Sequence, residues 1–498
     1  CIVNVFFNCA IYFAVSWSLV RMLDILVVIS VIIIYIMLQK FAKIPQPLFL
    51  IGLALFSLII YYPGVPQDDT TFIYQNFITG NYSDWQPPIY SLWWHLFHFK
   101  AADFIMNMVL YYSGLIYISY VLYRKKLHWQ NNLLILFCFY PLYATQLVIL
   151  LKDVPYTGFL ILSVAILLAL QVYKSKLLRI VLWTAYFCVI FLAIGFKYNG
   201  FFAVYPMLAF GVYLVLQDLK LNRLGIKPIY TTIGILLLAL SVDALCVVAN
   251  NVITYSMFDA KKSHSSLMVM YNDLANIECS SGSEVIPDEY FIADDRRGIM
   301  CNQFFINYRN YEPLMVPNWS GANNPAIFDY NMDGVDEVQF EKVRDTWLHV
   351  VLSNLDDYAV YRAKFLSTIV FTQWWWTPLS INNPSNIEVK LSNLIVEERR
   401  TLGTFNALLL ILGNLLVLVY CLWYKKSRLA LMIILSSILQ LVSLYLVLGV
   451  PAARFFLWDY IAVFLALALA NLKFNSQNNK EPIKSIGLVN KTKGKKFK

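Results

Sequence analysis

The chain has 498 residues, of which 59% are hydrophobic, 16% aromatic and only 14% charged, with a mean hydropathy of +0.60. That balance excludes a soluble globular protein, because a chain this apolar has to keep most of its length in lipid. The formal charge of +9 does not point to nucleic acid: the tail from Lys473 holds eight Lys and one Glu and supplies +7 of it, which reads as a solvated anchor after a last span, with anionic lipid contact as the lesser reading.

A span needs about 20 mostly apolar residues. In chain order such segments lie near 2–20, 23–38, 46–62, 104–123, 131–150, 154–172, 178–195, 200–216, 229–250, 404–424, 428–449 and 455–471. The expected fold is therefore an all-α polytopic membrane protein with about 11–12 transmembrane helices. Only Arg21 and Asp24 separate the first two segments, and one long helix there would change the side of the N-terminus. The chain opens on Cys1, where no targeting signal is read.

Lys and Arg collect in "RKK" (124–126), "KSKLLR" (174–179), "QDLKLNRLGIK" (217–227), "KKSR" (425–428) and the tail, all on one side of a twelve-span chain. The positive-inside rule makes that side the cytoplasm. The other side receives residues 63–103 and 251–403, and the second piece holds 20 of the 30 acids. The organisation is then N-terminal membrane helices (1–45), a membrane core (46–250) with a first outer loop (63–103), a small mixed outer domain (251–403), C-terminal membrane helices (404–472) and a basic tail (473–498). No repeat of fixed period stands out.

The first outer loop carries the densest chemistry. Asp68 and Asp69 follow "PG" and a second Pro directly beyond a span, so a turn holds both carboxylates at the membrane surface. "TTFIYQNFITG" then spaces Phe72, Tyr74, Phe77 and Ile78 as an amphipathic surface helix, for which Asp69 is also a plain N-cap. "NYSDWQPPIYSLWWHLF" adds Asp84, Gln86, a rigid Pro-Pro turn and a second aromatic surface stretch. Cations wait on the same side: Lys152 beside Asp153, Lys197 two residues before Asn199, Arg362 at the end of the outer domain, and Arg454 opening the last span with Asp459 beyond it. For each one the plain alternative is a long side chain reaching headgroups. Asp243, near the outer end of its span, is a buried partner or part of the same cavity.

Elsewhere the signals are weaker. "DYNMDG" (329–334) opens like a calcium loop, but position twelve is Phe340, and an ordinary acidic turn is the better reading. Cys279 and Cys301 either pair, if their compartment is oxidising, or stay two buried thiols. His349 in "EKVRDTWLHVVLSNL" is expected to face a core, and "QWWW" (373–376) to sit in an interfacial belt.

The order of span, "PG", Asp, amphipathic helix, "DWQPP" and aromatic helix resembles the first outer loop of the GT-C superfamily, multispanning glycosyltransferases that take a sugar from a polyprenyl-phosphate carrier. "LLKDVPYTG" (150–158), "FKYNGFFAVYP" (196–206), "YNDLA" (271–275) and "LSNLDDYAVYRAKF" (352–365) are similar to one bacterial branch, and the match covers about 46–460. Gln86 stands where related loops commonly carry His, and "VPAARFFLWDY" is a degenerate third outer segment. The resemblance implies a polyprenyl-phosphate-linked sugar donor, a cell-envelope glycan or lipid-linked acceptor, and a site on the outer face of a bacterial plasma membrane. Asp69, with Asp68 as the alternative, is implied as general base. Asp84, Gln86, Lys152, Asp153, Lys197, Asn199, Arg362 and Arg454 are implied as substrate contacts, with Arg362, Lys152 and Lys197 ranked ahead of Arg454 for phosphate. A divalent cation is compatible with such a site, and nucleic acid is not. A transporter or flippase of lipid-linked saccharides, or a polymerase or ligase acting on them, would need a similar outer cavity.

Overall fold

The computed structural model describes residues 45–66, 68–99, 101–138, 147, 149–219, 228–293, 295–309, 328, 336–371, 407–424, 426–447 and 453–472. In chain order these form α1 (Gln46–Tyr61), strand β1 (Val65–Pro66), α2 (Asp68–Thr79), α3 (Leu92–Phe97), α4 (Ala102–Arg124), α5 (His128–Cys138), strand β2 (Ile149–Leu150), α6 (Asp153–Val172), α7 (Lys176–Phe196), α8 (Phe201–Asp218) and α9 (Pro228–Val252). Then come α10 (Ser266–Ser281), α11 (Arg296–Arg309), α12 (Glu337–Ser353), α13 (Leu355–Phe371), α14 (Ala407–Trp423), α15 (Arg428–Val447) and α16 (Leu457–Leu469).

The chain is an all-α integral membrane protein. Among the described residues six helices are long and apolar enough to cross a bilayer, and three shorter apolar ones cover Gln46–Ile59, Leu410–Trp423 and Leu457–Leu469. The segments expected near 2–20 and 23–38 lie outside the described residues. Of the span expected over 131–150, the described residues form the 11-residue α5 and, at its far end, β2, while 139–146 and 148 lie outside the described residues. An apolar run of this length reads equally as helix or strand, and here its last residues pair with another chain segment.

α6 is the axis of the bundle: nearly all of its side chains are buried, and it packs on α4 and α7. A Cβ at Gly158 would lie 2.8 Å from Leu110, so the α4–α6 approach requires glycine there. α9 is the opposite case. It exposes Ile233, Leu237, Leu240, Leu245 and Val248, while Ala239, Asp243 and Asn250 turn inward toward α7 and α8, as a lipid-facing helix should.

A second core unites α10 to α12 around Leu267, Leu274, Ile277, Met300, Val343 and Val350. Apolar residues there recur at helical spacing, and the expected mixed domain is helical among the described residues, with one isolated bridge between Phe291 and Phe328. Cys279 and Cys301 form a disulfide between α10 and α11, with Cα atoms 5.2 Å apart. His349 is exposed, because Val343 and Val350 take the core face of α12 and the half-buried Trp347 the position between them.

Candidate functional site

Two pairs of short segments fix the first loop. β1 and β2 run parallel, Val65 against Ile149 and Pro66 against Leu150. The turn into β1 needs Gly64, at φ +86°, where a Cβ would lie 2.8 Å from both Leu150 and Phe104. Because the strands are parallel, the chain leaves both of their C-terminal ends at the same end of the bundle. α2 starts at Asp68, and α6 starts at Asp153, immediately after Lys152, so both helices begin just beyond the ladder. Asp69 is half-buried in the first turn of α2.

At the far end of α2, Gly80 turns the chain and Tyr82 to Asp84 cross the strap 258–265 that joins α9 to α10. The Lys261 N–H donates to the Tyr82 carbonyl at 2.9 Å and the Asp84 N–H to the Lys261 carbonyl at 2.9 Å. The Asp84 carboxylate accepts from the Ser263 N–H (2.6 Å), the Ser263 hydroxyl and the Tyr255 hydroxyl (2.7 Å). Gln86 comes next, buried, and "PPIYSLWW" packs inward: Tyr90 and Trp93 lie 5.4 and 5.5 Å from Phe196, and Tyr74 meets Trp94 at 5.1 Å. The two expected surface helices are thus α2 and the short α3, with a 3-10 turn over Pro88–Ser91 before it.

Behind the ladder lies a polar centre to which α6, α7, α15 and α16 contribute. Lys197, which closes α7, is buried with its Nζ 2.8 Å from Asp153 and over the rings of Tyr156 (5.0 Å) and Phe455 (5.3 Å). The Tyr156 hydroxyl donates to Gln440 Oε1 (2.9 Å), and Gln440 Nε2 donates to the Phe455 carbonyl (2.9 Å) and more weakly to Asp459 Oδ2 (3.4 Å). Ser437 donates to Asp459 Oδ1 at 2.8 Å. A single buried ammonium therefore serves two neighbouring carboxylates, Asp153 in contact and Asp459 at longer range. Asn199 is half-buried in the turn that leads from Lys197 into α8. Arg454 lies in the 3-10 turn Ala453–Phe456, its side chain outside the described set.

Arg362 sits elsewhere. Its guanidinium meets both oxygens of Asp273, at 2.8 and 3.0 Å, Trp347 Nε1 donates to the same carboxylate at 2.9 Å, and the rings of Tyr358 and Tyr361 flank it. Burial pushes Asp273 up to about 6, with Arg362 and Trp347 pulling it down, so the pair is charged at neutral pH. A guanidinium paired with a buried carboxylate has little net charge left for a phosphate.

The structure thus pairs Asp153 with Lys197, sets Asp69 and Lys152 at the helix starts that follow the ladder, places Asp84 on the strap, and pairs Arg362 with Asp273 of "YNDLA". Sequence reasoning missed Tyr156 and Gln440, and also Asp103 and Asn107, both fully buried on α4, with the Tyr90 hydroxyl 3.5 Å from Asp103. Asp103, Asn107 and Tyr111 recur at i, i+4 and i+8 inside an apolar helix, a polar stripe that the sequence alone displays. Among the described residues no three His, Cys, Asp or Glu side chains converge as metal ligands.

No family model matches the chain, and no curated protein or solved structure is significantly similar to it.

Proposed function

We propose that the chain is a GT-C-like membrane glycosyltransferase that takes a sugar from a polyprenyl-phosphate carrier and passes it to a cell-envelope glycan or lipid-linked acceptor, at the outer face of a bacterial plasma membrane. The finer fold reading, 11–12 spans around a GT-C-like core, belongs to the same proposal. The observation that carries it is the parallel β1–β2 pairing, beyond which the chain enters α2, with Asp69 in its first turn, and α6, headed by Lys152 and Asp153.

In this reading the acceptor hydroxyl attacks the anomeric carbon, and Asp69, with Asp68 as the alternative, takes its proton. The bond from that carbon to the phosphate oxygen breaks, and its electron pair leaves on the carrier phosphate. Lys152, which heads α6, and Lys197, buried against Asp153, are the cations this reading sets at the phosphate as it gathers charge. The dipole of α6, whose positive end lies here, adds to the same field. Gln86, Asn199 and Arg454 remain candidate substrate contacts, Asp84 is accounted for by the strap, and Arg362 is left out because Asp273 neutralises it.

Orientation is supported from two directions. The disulfide suits an oxidising, outer compartment for the second core. Away from the ladder, Arg179 pairs with Asp218, Arg428 meets Tyr213 and Lys426 bonds Asn471 at 2.7 Å, which suits a cytoplasmic end. The test is release of sugar from a purified polyprenyl-phospho-sugar in detergent. Wild type should consume the donor and Asp69→Asn should be slower by roughly 10²-fold or more. Loss on Asp68→Asn alone would exchange the two roles. An intact donor under all conditions removes the transferase and leaves a transporter or flippase, since transport without a barrier changes nothing in the donor.

A further inference from the structure

We infer that Asp84 is a positioning residue: it latches the loop that carries α2 to the strap 258–265, and through the strap the second core holds α2 in place. This goes beyond the transferase proposal and rests on it only in taking α2 as the carrier of the base.

The latch is built from both sides. On the loop, Asp84 spends its carboxylate on three donors of the strap region and its own N–H on the Lys261 carbonyl, while Ser83 and Lys261 pair as a parallel bridge. Hydrogen bonds to a charged acceptor are the strong ones, and three on one carboxylate leave it little freedom to turn toward a ligand. Packing extends the contact: Phe258 meets Tyr82 at 4.9 Å, and the Tyr82 hydroxyl bonds His95 Nε2 at 2.9 Å.

The strap is shaped for this use. α9 ends in a π-helical turn, Ile253–Met257, which presents Tyr255 toward Asp84. Asp259 and His264 both hold φ +48°, a left-handed conformation that L residues adopt only when their surroundings demand it. At the second bend His264 stacks on Phe340 at 4.0 Å, and it and Lys262 approach Glu337 at 3.4 and 3.2 Å. Phe340 and Glu337 belong to the first turn of α12, so the strap is gripped by the second core on one side and by the loop on the other. α2 is thereby tied at both ends, through β1 to the bundle and through Asp84 to the second core. A force that displaces the second core reaches α2 by the latch, while the ladder keeps the start of α6 where it is.

The experiment is amide hydrogen exchange on the full chain in nanodiscs. Asp84→Asn keeps the shape but cannot accept on both sides, and exchange in residues 69–79 and 258–265 should rise together by roughly tenfold, with α4, α6 and the α10 and α12 cores unchanged. Tyr255→Phe, which removes one hydroxyl, should give a smaller rise in the same two segments and serves if the first variant folds poorly. Adding Ser83→Cys and Lys261→Cys to Asp84→Asn, with each single cysteine as control, should return α2 to wild-type exchange by covalent pairing across the bridge. Unchanged exchange in α2, or a cross-link that forms and fails to restore it, overturns the latch. In the transfer assay kcat should fall while the donor KM stays, and the cross-link should recover kcat. If wild type transfers no sugar, the transferase reading fails and the exchange data still decide the latch.

Discussion

Two buried ion pairs divide the molecule. In the second core Arg362 meets Asp273 through two oxygens, Trp347 takes a further lone pair, and one cation answers one carboxylate. In the bundle Lys197 touches Asp153, with Asp459 a second carboxylate in its field and aromatic rings flanking its ammonium. The first is a guanidinium whose Nη2 bridges both oxygens of one carboxylate, which suits a fixed core. The second is a point charge shared between two carboxylates near the start of α6. Burial is nearly equal for the two cations, 3% and 4% exposed, so burial is not what separates them; the saturation of each pair and its neighbours are.

Breaking either pair on one side should cost most. Asp273→Leu alone leaves Arg362 buried with neither counter-charge nor acceptor at this position, and the loss should be about 3–5 kcal/mol, read as a fall in the unfolding midpoint of the second core. Asp153→Asn should cost a similar amount in the bundle. Replacing both members separates structure from function: Arg362→Met with Asp273→Leu should be near neutral for folding and leave transfer within a fewfold, because apolar residues of similar volume substitute well for a buried pair. Lys197→Met with Asp153→Leu should also fold, yet slow donor consumption by roughly 10²-fold, since the ammonium whose field also reaches Asp459 is lost from the proposed site. Equal kinetics for the two double variants would erase the contrast.

A smaller effect tests the ladder. Gly64→Ala meets both a left-handed φ and the side chains of Leu150 and Phe104, and should destabilise the β1–β2 contact by about 1–3 kcal/mol, seen as faster exchange at the start of α2. The smallest is a pH effect. Asp273 has its folded pKa raised from 3.8 to about 6, so between those values the folded state binds the proton more tightly and stability falls as pH rises. Wild type should therefore gain about 1 kcal/mol on Asp273→Leu when pH drops from 7 to 5, measured by paired melts; an unchanged or narrowing gap would mean that Asp273 titrates lower than this.

Much of the fold was readable one segment at a time. Apolar runs near 154–172, 178–195, 200–216 and 229–250 became α6, α7, α8 and α9 within a few residues, because a helix in lipid satisfies its own backbone and needs only composition to declare itself. The last two residues of the run 131–150 depart from this, since β2 pairs with β1, 84 residues earlier in the register pair Val65 and Ile149. The site divides the same way. Asp69, Lys152, Asp153 and Lys197 were visible as charges at the ends of apolar runs. The partners of Asp84 and Arg362 were not, because Ser263 lies 179 residues from Asp84, and Asp273 lies 89 from Arg362. "YNDLA" and "LSNLDDYAVYRAKF" were noticed as separate fragments, and only packing of α10 on α13 makes them one contact.

By itself, then, the sequence determined that this is a helical protein of the membrane, where its apolar helices run and which of their ends bear charge, since transfer to lipid is settled by local composition. Which charges neutralise one another was decided by tertiary structure alone. Coulomb attraction depends on separation in space and on the water excluded between the groups, and neither quantity exists until the helices have packed.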